Sequence, residues 1–315
     1  MNRIDRIAQR IKFRELRILL AVAQSGTMGR AAKTLSVSQP VVSKAVSELE
    51  DALGVKLFDR TATGIIPTAY GREMIQRSRA VLDELQQGVN AIDFLQDPTS
   101  GNLHIGCTEF GAVGLVPLVI ERLGQRHPRL NLHVMTADAV TLASEALPSR
   151  SIELAMSAIP AQLPADIDAE LLFEERGVIM AGVNSPWARR RKLALSDLLE
   201  ASWVLPPSNS VARRHIDEAF MAQGLSPPEA QVATYSVPLC HQLLASGRYL
   251  SILPREAILL AKHLPIKPLN VELAGLHRRI GIMTLKHRTL SPIARLFAET
   301  ARTTTAAVII RGRRG

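Results

Sequence analysis

Along the first hundred residues apolar positions return every three or four places, the spacing of one face of an α-helix. Phe13, Leu16, Leu19, Leu20 and Ala23 form the first run, and Ser25-Gly26 stops it. A shorter helix is predicted over Arg30 to Leu35, bounded by Gly29 and Ser36. The third run lies in VSQPVVSKAVSELEDALG, Val37 to Gly54. Ser38 is placed to cap it, Pro40 fits a first turn in which its missing N–H costs nothing, and Gly54 can end it. Steps of about 100° per residue bring Val42, Ala45, Val46, Leu49 and Leu53 onto one face, the expected core side. Gln39, Pro40, Ser43, Lys44 and Ser47 fall on the other side, and the acids Glu48, Glu50 and Asp51 come only later.

After Gly54 the pattern changes. In VKLFDRTATGIIPTAYG, Val55, Leu57 and Phe58 can pack beneath the helices. Thr61 to Thr68 has the β-branched residues and central Gly64 of a short hairpin, with Arg60 at its root. From Gly71, the positions Met74, Ser78, Val81, Leu85, Gly88, Ile92 and Leu95 alternate by three and four, a heptad seam interrupted by one Ser and one Gly. A helix facing its own core would carry much the same spacing. Asp97-Pro98-Thr99-Ser100-Gly101 is a cluster of helix breakers and reads as a hinge.

Beyond the hinge strands and helices alternate. Strands are predicted over Leu103 to Cys107, Leu130 to Thr136 and Leu154 to Ser157, with helices Gly114 to Gln125 and Thr141 to Leu147 between them. A second set follows: strand Gly177 to Gly182, helix Ser196 to Glu200, strand Trp203 to Leu205, helix Val211 to Gln223, strand Gln231 to Thr234, helix Pro238 to Ala245 and strand Leu250 to Leu253. A further helix is expected after Pro254. Two βαβ sets predict a mostly parallel sheet in two lobes, with a ligand cleft at the carboxyl ends of the strands.

Composition narrows this picture. A chain of 315 residues, 47% hydrophobic and 21% charged, fits about two globular domains, and its longest apolar runs fall far short of a spanning helix. MNRIDRIAQRIKF is basic and amphipathic, with Ile4, Ile7 and Ile11 on one stripe. It lacks the apolar core and cleavage site of a secretory signal, so a cytoplasmic location is expected. The net charge is +9, and residues 1–60 hold eleven Lys or Arg against six Asp or Glu, a balance that suits a polyanionic partner. Arg311, Arg313 and Arg314 are expected to form a disordered basic tail. Cys107 and Cys240 match neither a zinc spacing nor a disulfide framework and are expected to be reduced, structural thiols.

The chemistry follows from where the polar groups cluster. Amides, hydroxyls and one cation at the start of a helix, joined by a short turn to a preceding helix, are what a helix-turn-helix needs in a major groove. A solvated surface helix would show the same residues. Arg60, at the root of the hairpin, is placed to reach phosphates as in a winged helix-turn-helix. An enzyme would need a catalytic signature, and the phosphate-loop, nucleophile-elbow, zinc-protease and dinucleotide motifs are absent. The eight His are scattered, and His104 and His241 read as structural. An exported solute-binding protein would fit the second half but has no use for the first. A redox regulator would use Cys107 and Cys240 as a switch. No cofactor and no metal site are expected.

The sixty residues around RAAKTLSVSQPVVSKAVSELEDALGVKLFDR resemble the DNA-binding domain of LysR-type transcriptional regulators. The resemblance implies an α+β multidomain chain. An N-terminal winged helix-turn-helix (1–70) and a long linker or dimerisation helix (71–97) precede an α/β two-lobed effector domain (98–310) similar to periplasmic binding proteins. Gln39, Pro40, Ser43 and Lys44 align with base- and phosphate-contacting residues of that family, beside Ser47 on the same face, and Arg60 with its wing-root arginine. Gly29 stands where a Ser or Thr cap is usual, and Thr63 where a second wing arginine is common. The chain is expected to cross between lobes near residues 169–175 and 268–275, its last segment returning to the first lobe. By position the effector-binding residues would be Thr108, Glu109, Ser157, Ala158, Ser208, Asn209, Tyr235 and Ser236, although each also suits a cap or turn. An acid at Glu109 would favour a polyhydroxylated, amine-bearing or cationic effector. The expected partners are double-stranded DNA, a small-molecule effector, a second copy in a homodimer or tetramer, and RNA polymerase.

Overall fold

The computed structural model describes residues 9–61, 64–255, 264–273 and 275–313, with side chains to residue 308. The chain forms two compact units that divide between Ile92 and Asp93. Among the described residues no helix is long and apolar enough to cross a membrane.

In the first unit, helices α1 (Phe13–Ser25), α2 (Met28–Thr34) and α3 (Gln39–Leu53) precede strands β1 (Phe58–Thr61) and β2 (Gly64–Pro67) and the long helix α4 (Ala69–Gln96). Local chemistry sets the helix ends. The Lys12 N–H donates to the Glu15 carboxylate at 2.9 Å ahead of α1, and Gly26 ends that helix with φ 69°, a conformation cheap only for glycine. The Arg30 N–H donates to Thr27 Oγ1 at 3.2 Å, so α2 starts two residues earlier than its Gly29 had implied. Its cap is Thr27. Ser36, at φ 53°, makes the bend before α3. Ser38 holds the cap position of α3 with extended backbone, but its hydroxyl makes no capping bond. Its carbonyl accepts from Val41 and Val42 instead.

The core of this unit is built on one side of each helix. Val42, Ala45, Val46 and Leu49 of α3 meet Leu16, Ile18, Leu19 and Val22 of α1, with Ala31, Leu57, Phe58 and Ile75. Leu20, Ala23 and Leu53 are half-buried at its margin. Phe13, expected inside, is 54% exposed. Turned about 100° per residue, it lies opposite the arc centred on Glu15 and Val22. Glu50, which reads as a surface acid, is buried. Its carboxylate accepts the Leu57 N–H at 2.8 Å and the Lys56 ammonium, joining α3 to the root of β1.

The hairpin begins earlier than Thr61, pairing Phe58 with Pro67 and Thr61 with Gly64. Thr63 lies outside the described residues. The Ile65 N–H donates to the Gly26 carbonyl at 2.9 Å, and a Cβ at Gly64 would stand 2.6 Å from that same oxygen. The hairpin is therefore fastened to the α1–α2 turn. At its other end Thr68 N–H donates to Leu57 O, and α4 starts so close that a Cβ on Gly71 would meet Leu57 O at 1.9 Å.

The second unit contains β3 (Ser100–Cys107), α5 (Glu109–Val113), α6 (Leu115–Arg126), β4 (Arg129–Thr136) and a short helix α7 (Ala139–Thr141) that runs into a π-helical turn (Leu142–Ala146). Next come β5 (Leu154–Ala158), β6 (Ile167–Gly182) and two 3₁₀ turns (Trp187–Arg189, Leu195–Leu198). It continues through β7 (Ser202–Leu205), α8 (Val211–Met221), β8 (Ala230–Ala233), α9 (Val237–Ala245), β9 (Tyr249–Pro254), β10 (Ile266–Pro268), β11 (His277–Leu285) and α10 (Pro292–Arg313). The strand order is β4-β3-β5-β11-β6-β9-β7-β8, with β10 beside β6.

Two lobes share β6. Its first part, to Arg176, pairs antiparallel with β11, and from Gly177 it pairs with β9. The first crossing thus falls one residue past the expected range, inside one continuous strand. The chain returns between Pro268 and His277, and β11 pairs with β5 in the first lobe. In that lobe Leu103, Ile105 and Cys107 pack on Val119 and Leu123 of α6 and Phe297 of α10. Trp203, Leu205 and Phe220 centre the second lobe.

Several expectations change here. The helix expected over 196–200 is a 3₁₀ turn, and α5 precedes the helix expected from Gly114. Arg311 and Arg313 lie within α10 instead of a disordered tail, since the helix runs to Arg313. Arg314 and the helix expected after Pro254 lie outside the described residues. The breaker cluster is clasped. The Asp97 carboxylate accepts the Thr99 hydroxyl at 2.7 Å and lies 2.8 Å from Arg129 Nη2, while His127 Nδ1 is 2.9 Å from the Pro98 carbonyl.

The Gly71 contact is with backbone and cannot rotate away. Gly71→Ala is expected to destabilise the first unit by about 2 to 3 kcal/mol. A chemical-denaturation midpoint for that unit checks this, and an unchanged midpoint would refute the contact.

Candidate nucleic-acid interface and ligand cleft

Burial of Val42, Ala45, Val46 and Leu49 turns the opposite side of α3 outward. Gln39, Pro40, Ser43, Lys44 and Ser47 are all exposed, and together they display an amide, two hydroxyls and an ammonium at the start of the helix. Lys44 Nζ lies 3.8 Å from the Glu48 carboxylate one turn on. Such an exposed pair contributes only about 0 to 1 kcal/mol, so the ammonium can exchange it for a phosphate. Gly29 Cα lies near this face, since a Cβ there would stand 3.6 Å from Gln39 Oε1. Arg60 is exposed on β1 opposite Ile65, on a hairpin anchored at both ends.

The seam of α4 divides into two parts. Met74 is half-buried against the unit's own core, and Ser78 is buried. From Val81 onward one apolar stripe faces outward: Val81, Leu85, Val89, Ile92 and Leu95 are exposed, the last to 81%, while Leu82 and Phe94 are half-buried. Gly88 is exposed as well, but Val89 supplies the apolar group at that level. A stripe of this length on a helix surface is the kind of feature that marks an interaction face.

Between the lobes lies a depression lined by Thr108, Ser157, Ala158, Phe110, Phe173, Glu175 and Arg278. Thr108 caps α5 by accepting the Gly111 N–H. Glu109 is half-buried and is not among the lining residues. The acid that faces the depression is Glu175, held by Arg278 Nη2 at 2.5 Å, and the Arg278 guanidinium stands 5.5 Å from the centre of the Phe110 ring. Ser208 and Asn209 form an exposed turn, and the cap of α8 is Ser210, which accepts the Arg213 N–H at 3.0 Å. Tyr235 is exposed, and Ser236 caps α9. None of these four lines the depression. Sequence reasoning missed Arg278, Glu175 and both Phe residues. The available signal was the opposed pair of runs, Glu174-Glu175 and Arg278-Arg279, next to the predicted crossings.

Cys107 and Cys240 are buried and free, in β3 and α9. Burial, and then the Glu109 charge, push the Cys107 thiol up to about 11, and burial also raises Cys240.

Comparison with known proteins decides the family. Residues 13–72 match the family described as "Bacterial regulatory helix-turn-helix protein, lysR family", and residues 96–306 match the "LysR substrate binding domain". The chain belongs to the LysR family. Among its LysR relatives is the HTH-type transcriptional regulator GbpR of Azospirillum brasilense, 31% identical over 91% of this chain and 84% of that one. YdcI of Escherichia coli is 30% identical over 92% and 95%. Among solved structures, full-length OxyR from Pseudomonas aeruginosa matches with a TM-score of 0.67 at 23% identity, covering 92% of this chain and 97% of that one. CbnR complexed with its target DNA matches at 0.54 and 22%, covering 94% and 100%. This LysR protein is a DNA-binding transcriptional regulator with an effector-binding domain, a non-enzymatic role.

A thiol held near 11 is almost entirely protonated at neutral pH. Cys107 of the native protein is therefore expected to react with a disulfide reagent at pH 7.5 more than about a hundredfold slower than after denaturation, and the buried Cys240 is expected to be slowed as well. Rapid release of a chromophore from the folded protein would contradict this assignment.

Proposed function

We propose that two copies of this chain join through the α4 stripe and read duplex DNA with paired α3 helices. The observation that carries the reading is the segregation of α3, whose apolar side is buried while Gln39, Pro40, Ser43, Lys44 and Ser47 stand in water. Gln39 and Ser43 match base edges in a major groove, Lys44 and Ser47 match phosphates or bases beside them, and Arg60 on the fastened hairpin reaches backbone next to the groove. Val81, Leu85, Val89, Ile92 and Leu95 supply the apolar surface of the homodimer, from which a tetramer is built by pairing dimers. The protein acts in the cytoplasm, and its output passes to RNA polymerase bound near the operator.

The effector enters the depression between the lobes. Thr108 and Ser157 offer hydroxyls, and Phe110 and Phe173 offer apolar faces. Glu175 and Arg278 are the charged lining residues and cancel one another. That balance suits a hydroxylated or zwitterionic ligand better than a simple anion, which would have to displace Glu175 from Arg278. Binding shifts the population of lobe arrangements about β6 and β11.

Two substitutions separate base reading from phosphate binding. Gln39→Ala is expected to lower discrimination between operator and mutated operator by about 1 to 3 kcal/mol. Arg60→Ala is expected to weaken all duplexes and flatten the slope of log K against log salt by about 0.9 per chain, about 1.8 for the dimer. Competition binding across a salt series checks both, and unaltered specificity in the first with an unaltered slope in the second would remove these roles. For the dimer, Leu85→Asp should leave the folded unit intact and yield monomer by light scattering at micromolar concentration.

A further inference from the structure

The second lobe carries four consecutive cations, Arg189, Arg190, Arg191 and Lys192, all exposed. They are not a loose run. Trp187 packs against the second-lobe core and Ala188 is buried in it just before the run, and Leu193 packs there and Leu195 is buried just after it. The 3₁₀ turn Trp187–Arg189 closes through an Arg190 N–H to Trp187 carbonyl bond, and the Arg190 guanidinium stands 4.9 Å from the centre of the Trp187 ring. The nearest following acid, Asp197, is engaged locally, accepting the Ala194 N–H at 2.9 Å. Among the described residues none of the four cations forms an ion pair.

Four like charges in sequence repel one another, and here apolar anchors on both sides hold them outward without a counter-charge from the chain itself. We infer that this loop is a second polyanion surface, and that its partner is the phosphate backbone of duplex DNA. Three of the four are Arg, whose planar fork binds phosphate oxygens in pairs. The stacking on Trp187 presents one fork already ordered. The regulator is held on DNA by its first unit, so phosphates are the polyanion this loop meets at high local concentration. The contact is sequence-independent and adds to affinity and to the length of duplex engaged.

The test uses the full-length protein and a long random-sequence duplex across a salt series. The variant Arg189→Gln/Arg190→Gln/Arg191→Gln/Lys192→Gln is expected to lower the slope of log K against log salt by about 2 to 4 per chain, at roughly 0.9 for each phosphate that is no longer neutralised. Lys44→Gln/Arg60→Gln serves as the reference for the first unit and should lower the slope independently, so the two surfaces add. A slope unchanged by the loop variant, with the reference variant weakened, would overturn the inference while leaving the helix-turn-helix reading intact. An unchanged slope joined to a loss of promoter output would assign the loop to an acidic protein surface and equally overturn it. If the fourfold change disturbs the lobe's thermal transition, Arg191→Gln/Lys192→Gln, which spares the Trp187 stack, is expected to lower the slope by about 1 to 2 per chain.

Discussion

A fifteen-residue helix can give its apolar stripe to only one core, and α3 gives its stripe to α1. That single commitment fixes the rest of the first unit. Glu50, drawn into the same interior, must find partners for its carboxylate, and it finds them at the root of the hairpin. The hairpin, thus located at one end, is fastened again at Gly26. The polar side of α3 and the exposed Arg60 are consequences of what is buried behind them, and their mutual position is rigid because each link is a backbone or buried contact.

In the second unit the equivalent constraint is β6. A strand of sixteen residues that changes partner from β11 to β9 makes two cores out of one sheet. The depression forms where the partners change, and this is why its charged pair comes from Glu175, the penultimate residue before the change, and Arg278, the second residue of the returning strand. Neither side chain is placed by its own neighbours in sequence. The cleft is a product of topology, and the basic loop at Arg189 to Lys192 lies on a lobe whose core is separate from the first.

This difference explains what could be read from the sequence alone. The bounds of α3 were legible because Pro40 and Gly54 are local signals whose effect does not depend on the fold. The outward half of the α4 seam was legible from spacing, whereas the burial of Ser78 was not, since it depends on which core lies alongside. Gly29 misled because a cap is defined by the bond to the third helical residue, and that bond, from the Arg30 N–H, goes to Thr27. The strand and helix alternation gave the two lobes. It missed the first half of β6, where the charges of Asp168 to Arg176 conceal a largely exposed strand held by its pairing with β11. Four effector candidates, Ser208, Asn209, Tyr235 and Ser236, were carried over from the resemblance by their position ahead of helices alone. Glu175 and Arg278, 103 positions apart, could be joined only by the sheet register.

The clasp at Asp97 has a consequence for acid tolerance. Hydrogen bonds from Thr99 and Ser100, with Arg129 nearby, hold its carboxyl at about 2, below its ordinary 3.8. A depressed carboxyl contributes stability above its unfolded pKa and loses it only as pH falls through the folded value. The Asp97 contacts at the start of the effector domain therefore stay latched throughout mild acidification.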